Sequence, residues 1–142
     1  MAGKLSPRAQ MKMAELRRIT DKVHHVHGLV EKYAATKNPQ HARRQTLPIK
    51  RAFGKLKLEL MGAGFDTLSQ LAGSMELAAG RGGSQRNKVR ILREGVGSMR
   101  FQMDQEQRKL AAEDQRAQRE EARQAKEDAG EAGPTPPAQD ES

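Results

Sequence analysis

Apolar residues recur along the first third of the chain at alternating spacings of three and four residues. The stripe consists of Leu16, Ile19, Val23, Val26, Val30 and Tyr33. Such a heptad pattern is typical of a helix that packs one face against other helices. Ser6 is suited to cap this helix and Pro7 to occupy its first position, and Asn38-Pro39 should end it near Thr36. The pattern therefore predicts a first long helix over about residues 6–36.

The middle of the chain predicts further helical structure. Residues 37–46 form a basic loop in this interpretation, and a helix is expected to begin between Thr46 and Pro48. The apolar stripe of this region consists of Ile49, Phe53, Leu56 and Leu60, followed by Leu68, Leu71, Met75 and Ala78. Gly62 and Gly64 interrupt the stripe, which favours two packed helices over one kinked helix, with Asp66 as a cap of the second.

The last predicted helix follows a turn at residues 80–83 and begins after Ser84, a suitable N-cap. Its apolar stripe consists of Val89, Leu92, Val96, Met99 and Met103. Gly95 and Gly97 interrupt good helix formers at a cost of about 1 kcal/mol each. Either a neighbouring helix approaches closely there or a stable bundle tolerates them, and close approach is the interpretation to test first. Residues 111–128 are polar all round and predict a solvent-exposed helical extension, and the composition of residues 129–142 is typical of a disordered acidic tail.

Together these elements predict an all-α fold, an antiparallel up-and-down bundle of three long or four helices over residues 1–110. The chain is 35% apolar and 3% aromatic, which indicates a thin core of helices packed side by side. Because seams only two residues wide bury little apolar surface, we expect a homo-oligomer.

Cysteine usage and hydropathy limit the class of protein. The chain has no cysteine, which excludes disulfides, thiol catalysis and cysteine-ligated metals and fits a reducing compartment. No window approaches the roughly 18 consecutive apolar residues of a membrane span. We therefore expect a cytoplasmic protein without a membrane partner.

Charge divides the chain into a basic body and an acidic end. Residues 1–103 hold 20 Lys and Arg against 7 Asp and Glu, a net charge of +13, and residues 104–142 hold 6 against 11, a net charge of −5. Cations that line up on helix faces without acidic partners repel one another unless a polyanion neutralises them. The phosphate backbone of RNA or DNA is a common polyanion of this kind.

Eight cations in the basic clusters are the candidate phosphate contacts: Arg43, Arg44, Lys50, Arg51, Arg86, Lys88, Arg90 and Arg93. Arg81 belongs to the same basic cluster as Arg86, Lys88, Arg90 and Arg93 but is not among the eight. With one Tyr and three Phe, mostly assigned to seams, the chain offers no aromatic platform for stacking bases. Binding is therefore expected to be electrostatic and tolerant of sequence.

Catalytic and metal-binding patterns do not assemble in the sequence. Carboxylates of the body are scattered among cations, and residues 78–84 lack the preceding strand of a dinucleotide-binding motif. His24 and His27, three residues apart, have the spacing of a helical metal pair, but positions beside the Val23/Val26 seam explain them and His25 more simply. We expect no enzyme activity, no cofactor and no metal.

Short motifs over residues 78–103 resemble a known family. They are Ala78-Ala79-Gly80, Gly82, Arg90-Ile91-Leu92 and Gly97-Ser98-Met99. The stretch is similar to the four-helix-bundle family that includes the proteins encoded in ribosomal-RNA intervening sequences and the accessory variability determinants of diversity-generating retroelements. That family has Glu where Ala79 stands. The resemblance implies an oligomeric up-and-down bundle and, in the retroelement branch, binding to nucleic acid and to a reverse transcriptase.

Two functional hypotheses remain open at the level of sequence. The first is a non-catalytic accessory protein that holds RNA or DNA on its cationic faces. The alternative is a helical scaffold or adaptor that binds protein partners through its seams and long C-terminal helix, with its charge serving solubility.

Overall fold

The computed structural model of the chain describes residues 5–132, and of residues 131 and 132 the backbone alone. It contains four α-helices, which confirms the predicted all-α bundle. Helix α1 spans Pro7–Ala35, α2 spans Pro39–Gly62, α3 spans Asp66–Gly80 and α4 spans Gln85–Ala132.

The chain divides into two compact units. The larger one consists of residues 14–106 and contains α2 and α3 together with parts of α1 and α4. The smaller one, in the part that is described, consists of residues 5–13 and 107–132.

Helices of the larger unit contact one another in antiparallel pairs. Lys57 of α2 pairs with Glu76 of α3 at 3.0 Å, and Lys50, earlier in α2, packs on Gly80, later in α3. In the same way, Gln85 at the start of α4 donates a hydrogen bond to the Tyr33 carbonyl at the end of α1. Opposite ends of partner helices therefore meet, as in an up-and-down bundle.

The predicted stripes of α1, α2 and α4 are buried throughout, so the heptad assignment is confirmed for these three helices. The stripe of α3 was partly wrong, because Leu71 and Ala78 are only half-buried. Ser69, Ala72 and Ala79 are buried in their place. Short side chains on this face let α3 lie close to its neighbours, and the Ser69 hydroxyl donates to the Lys57 carbonyl at 3.0 Å, which satisfies it inside the core.

The start of α2 differs from the prediction, and residues 39–46 are helical instead of forming a loop. The Asn38 side chain accepts hydrogen bonds from the backbone N–H groups of Gln40 at 2.9 Å and His41 at 3.2 Å. Asn at the N-cap followed by Pro39 at the first helical position is a favourable start. Pro48, which the sequence suggested as the start, lies inside the helix.

The break between α2 and α3 confirms two consecutive helices. Gly64 has φ +87°, a conformation that residues with a side chain rarely adopt, and it turns the chain here. Asp66 does not cap α3: Phe65 occupies the N-cap position without a side-chain hydrogen bond, and Asp66 is the first helical residue. The acidic group still lies in the first turn, where the helix dipole favours negative charge.

The smaller unit joins the start of α1 to the C-terminal half of α4. The Ser6 hydroxyl caps α1 by accepting a hydrogen bond from the Ala9 N–H at 3.2 Å, which confirms the predicted cap. The same hydroxyl donates to Asp114 Oδ1 at 2.7 Å, and the Ser6 N–H donates to Asp114 Oδ2 at 3.0 Å. Asp114 therefore fixes the beginning of α1.

Beyond this contact α4 continues as a helix with exposed side chains. Arg123 forms ion pairs with Glu120 and Glu127, at the spacing that supports an isolated helix. The helix ends at Ala132, so residues 129–132, which the sequence assigned to the tail, are helical. The rest of the predicted tail, residues 133–142, lies outside the described residues.

Candidate functional site

Several of the candidate cations lie at one end of the larger unit, where α1 ends and α4 begins. The Ser84 hydroxyl caps α4 by accepting the Asn87 N–H at 3.1 Å. Gln85 then donates from Nε2 to the carbonyls of Tyr33 at 2.7 Å and Thr36 at 2.9 Å. Because the last carbonyls of a helix lack partners within the helix, this side chain holds the two helix ends together and positions the first turns of α4.

A first depression at this end, the α1/α4 cleft, has a volume of about 910 Å³. Ala34 near the end of α1, with Thr36 and Lys37 just after the helix, forms one wall, and residues between Ser84 and Glu94 form the other. The charged side chains of its lining are Lys37, Arg86, Arg90, Arg93 and Glu94. Four cations and one carboxylate therefore face the same open space.

Two of these four arginine and lysine side chains already have partners. Arg93 forms a bidentate pair with Glu31 of α1, through Nε at 2.8 Å and Nη2 at 2.7 Å. This hydrogen bonding from Arg93 lowers the pKa of Glu31 and in turn raises the pKa of Arg93. Arg90 donates to Asn87 Oδ1 at 2.7 Å and lies 3.8 Å from Glu94. The guanidinium of Arg86 has no such partner among the described residues.

A second depression, the glycine cleft, has a volume of about 540 Å³ and shares Gln85 with the first. Three cations from three segments line it: Arg43 from α2, Arg81 from the connection after α3, and Lys88 from α4. No carboxylate belongs to this lining among the described residues. The stem of Lys50 packs beside Gly80, with Nζ 3.5 Å from the position that a Cβ atom would have there, which brings a fourth cation to the rim.

Glycine keeps the wall of this cleft free of side chains. Gly83 has φ +119°, so an L-residue with a side chain would be strained at this position. A Cβ atom built on Gly82 or Gly83 meets nothing within 4 Å, so this wall faces open space. A ligand can therefore approach the backbone of residues 82–83 without meeting a side chain from them.

A third depression, the α1/α2 groove, contains Arg51 and has a volume of about 400 Å³. Its charged or ionisable side chains are Lys22, His25, Arg51, Lys55 and Glu59. Lys22 and Glu59 form an ion pair across the two helices. The remaining lining is mostly apolar, from Val26, Leu29, Pro48, Ala52 and Leu56.

The structure therefore separates the eight candidates into groups. Arg43, Lys88 and, at the rim, Lys50 belong to the glycine cleft; Arg86, Arg90 and Arg93 belong to the α1/α4 cleft. Arg51 lines the α1/α2 groove, and Arg44 is exposed on α2 outside all three. The candidate set omitted Arg81 and Lys37, which line the two clefts at the helix ends. Gly80, Gly82 and Gly83 around Arg81 indicate a turn, and this was the sequence signal that could have placed Arg81 beside the start of α4.

The described residues hold neither a metal-binding cluster nor a helix that could span a membrane. Among residues 5–130, His, Cys, Asp and Glu side chains nowhere form a group of three that could hold a metal ion. His24 and His25 are exposed and His27 is half-buried beside the α1 seam. None of the described helices contains a stretch long and apolar enough to cross a membrane.

Comparisons with protein-family models, with curated proteins and with solved structures found no match to this chain.

Proposed function

We propose that this protein is a non-catalytic accessory protein that binds RNA or DNA through its backbone phosphates, at the two cationic clefts. The observation that carries the proposal is the glycine cleft. Arg43, Arg81 and Lys88 come from distant parts of the sequence to one depression, and its described lining holds no carboxylate.

Electrostatics favours a polyanionic ligand for such an arrangement. Like charges gathered in a cleft repel one another and raise the local concentration of anions around them. Nucleic acid supplies a regular series of phosphates, whose neutralisation by Lys and Arg releases counterions and drives binding. The α1/α4 cleft, which adjoins the glycine cleft at Gln85, adds Lys37 and Arg86. Cations in both clefts could therefore contact successive phosphates of one strand.

The surroundings of the clefts favour contacts to phosphate over contacts to bases. Tyr33, which lines the glycine cleft, is buried, and Phe53 is buried in the core. Phe101 is exposed, but it does not belong to the lining of either cleft. Without aromatic faces at the site, bases have no platform on which to stack, and binding should depend little on sequence.

Exposed apolar side chains bear on the partners of the protein. Several large apolar side chains are exposed on the helices: Met11, Leu47, Leu58, Met61, Leu77 and Phe101. They support self-association or a protein partner, because exposed apolar groups are commonly covered at interfaces. A reverse transcriptase as that partner, and a cytoplasmic location, rest on the sequence resemblance and on cysteine usage alone.

The decisive experiment measures the affinity of the full chain for fluorescent RNA and DNA duplexes by anisotropy, at several salt concentrations. We expect log Kd to rise linearly with log salt, with a slope of roughly 0.9 for each phosphate contacted on duplex DNA. Substituting Arg43→Ala, Arg81→Ala and Lys88→Ala together should weaken binding. The matched control replaces Arg17, Arg18 and Arg100 with Ala. These arginines are exposed elsewhere on the larger unit, and their substitution removes the same number of positive charges.

Absence of binding to any RNA or DNA near 50 mM salt would refute the proposal. It would also leave the second candidate, a helical scaffold for protein partners, as the better account. The observation that favours this candidate is the exposed helix of residues 119–130 together with the exposed apolar side chains. Deleting α4 beyond Gln118 would then abolish partner capture, whereas the cleft substitutions would not affect it.

A further inference from the structure

We infer that the glycine cleft receives a terminal phosphate of a nucleic-acid strand, the phosphomonoester at its end. The inference rests on the proposed function and makes it more specific. It assigns the two clefts different tasks: the glycine cleft holds the end group, and the α1/α4 cleft contacts the internal phosphates that follow it.

Charge is the first reason for this division. An internal phosphodiester carries a single negative charge, whereas a phosphomonoester carries about −1.5 to −2 near neutral pH and exposes three acceptor oxygens. Arg43, Arg81 and Lys88 converge on one depression, with Lys50 at its rim and no carboxylate in the described lining. Cations that converge suit one concentrated anion, and charged hydrogen bonds to it are the strong ones.

The neighbouring cleft lacks this concentration of free charge. Of its four cations, Arg93 is neutralised by Glu31, and Arg90 is shared between Asn87 and Glu94. Its remaining cations, Lys37 and Arg86, come from opposite walls. Two cations on opposite walls suit the single charges of successive internal phosphates.

Access is the second reason. The glycine cleft is concave, and its wall at Gly82 and Gly83 carries no side chain. A terminal phosphate can enter a depression and approach backbone, whereas an internal phosphate is held back by the nucleotides on both sides.

Helix ends add favourable backbone charge to the same place. Pro39 and Gln85, the first residues of α2 and α4, line the cleft, and neither helix has an acidic residue in its first turn. Helix N-termini attract anions. The C-terminus of α3 also reaches this cleft through Ala79 and Gly80, and it brings the opposite end of a helix dipole. Of its last carbonyls, those of Leu77 and Ala78 accept the Arg81 N–H, at 3.1 Å and 3.4 Å.

The test compares three oligonucleotides that share one sequence and an internal fluorophore. One carries a 5′-phosphate, one a 3′-phosphate and one only hydroxyl ends, and each is titrated with the full chain by anisotropy. We expect one phosphorylated form to bind about tenfold more tightly than the hydroxyl form, the gain typical of hydrogen bonds to a charged group. The form that binds tightly identifies the end of the strand.

Two variants locate the effect. Substituting Arg43, Arg81 and Lys88 with Ala should remove the preference for the phosphorylated end. Substituting Arg86 and Arg90 with Ala should weaken the binding of all three oligonucleotides and leave the preference for the phosphorylated end unchanged. The Arg17, Arg18 and Arg100 control should keep the preference, and circular dichroism checks that each variant is folded.

Each unfavourable outcome has a separate meaning. Equal affinity for all three oligonucleotides, with steep salt dependence, would overturn the terminal-phosphate inference and leave the proposed function standing. No binding to any of them at low salt would overturn both. Inorganic phosphate or pyrophosphate that binds as tightly as the phosphorylated oligonucleotide would assign the cleft to small anions and overturn the inference.

Discussion

Met75 of α3 packs directly onto Gly95 of α4. A Cβ atom built on Gly95 would lie 2.8 Å from Met75 Cγ and closer still to its sulfur, so no side chain fits there without a shift. Gly97, two residues later, is exposed and has nothing within 4 Å of its Cβ position. Close helix approach therefore explains Gly95, whereas Gly97 is tolerated in an open position of the helix.

This contrast predicts opposite effects for the same substitution. Gly95→Ala gains about 1 kcal/mol of helix propensity but overpacks the contact with Met75 at a cost of about 1–3 kcal/mol, so we expect it to lower the free energy of unfolding by up to about 2 kcal/mol. Gly97→Ala should raise it by as much as about 1 kcal/mol, because alanine is the better helix former and meets no neighbour. Urea unfolding followed by circular dichroism measures both. Equal effects of the two substitutions would contradict the packing at Gly95.

Pairing of Arg93 with Glu31 predicts that this carboxylate restrains the proposed nucleic-acid binding. Glu31→Gln should release Arg93 for phosphate contact, raise the affinity for a duplex and steepen the salt slope by about one phosphate. Asp21→Asn removes the same charge from an exposed site on the same helix and serves as the control. An equal gain in both variants would attribute the effect to net charge and not to this pair.

Pro48 predicts a gain in stability on replacement. It lies inside α2 and has no N–H to donate to the Arg44 carbonyl, so it weakens the helix that contains it. Pro48→Ala should raise the free energy of unfolding by about 1–3 kcal/mol. Pro39→Ala is the control, because proline at a first helical position costs little. An unchanged urea midpoint for Pro48→Ala would show that the helix accommodates this proline without cost.

Contacts of Asp114 with Ser6 predict a pH dependence in the smaller unit. Hydrogen bonds from Ser6 lower the pKa of Asp114 below its ordinary value of 3.8. The larger effect comes from the Ser6 N–H and the smaller one from the Ser6 hydroxyl. A carboxylate with a lowered pKa stabilises the fold fully above the unfolded value, and the contribution is lost as pH falls through the folded pKa. NMR titration should therefore find the Asp114 midpoint below 3.8.

Substitution of Ser6 isolates the hydroxyl in this contact. In Ser6→Ala the titration midpoint of Asp114 should rise only part of the way toward the ordinary value of 3.8, because the hydrogen bond from the Ser6 backbone N–H remains. Ser6→Thr keeps the hydroxyl and should leave the midpoint close to that of the native chain. A midpoint that does not move in Ser6→Ala would contradict the role of the hydroxyl.

Helix prediction succeeded where the apolar period was regular. Leu16 to Tyr33 and Val89 to Met103 keep heptad spacing, and every residue of both stripes is buried. It failed at the start of α2, because Asn38-Pro39 was interpreted only as the end of α1 and the second helix was expected to begin between Thr46 and Pro48. The Asn38 cap prevailed because it satisfies two backbone N–H groups and lets Ala42 join the core.

The sequence identified clustered cations but not how the fold arranges them. Clusters such as Arg86, Lys88, Arg90 and Arg93 are visible as charge, yet the structure places Lys88 in one cleft and the other three in another. The pairing of Arg93 with Glu31 joins residues 62 positions apart. No local spacing carries that information.

By itself, the sequence determined the helical class, most helix boundaries and the basic character of the body. Those properties follow from local periodicity, from capping residues and from composition, which act over a few neighbouring positions. The tertiary structure decided which glycine is packed, which cations have carboxylate partners and which remain free in a common cleft. These depend on the rotation and separation of packed helices, which the side chains of several segments set together.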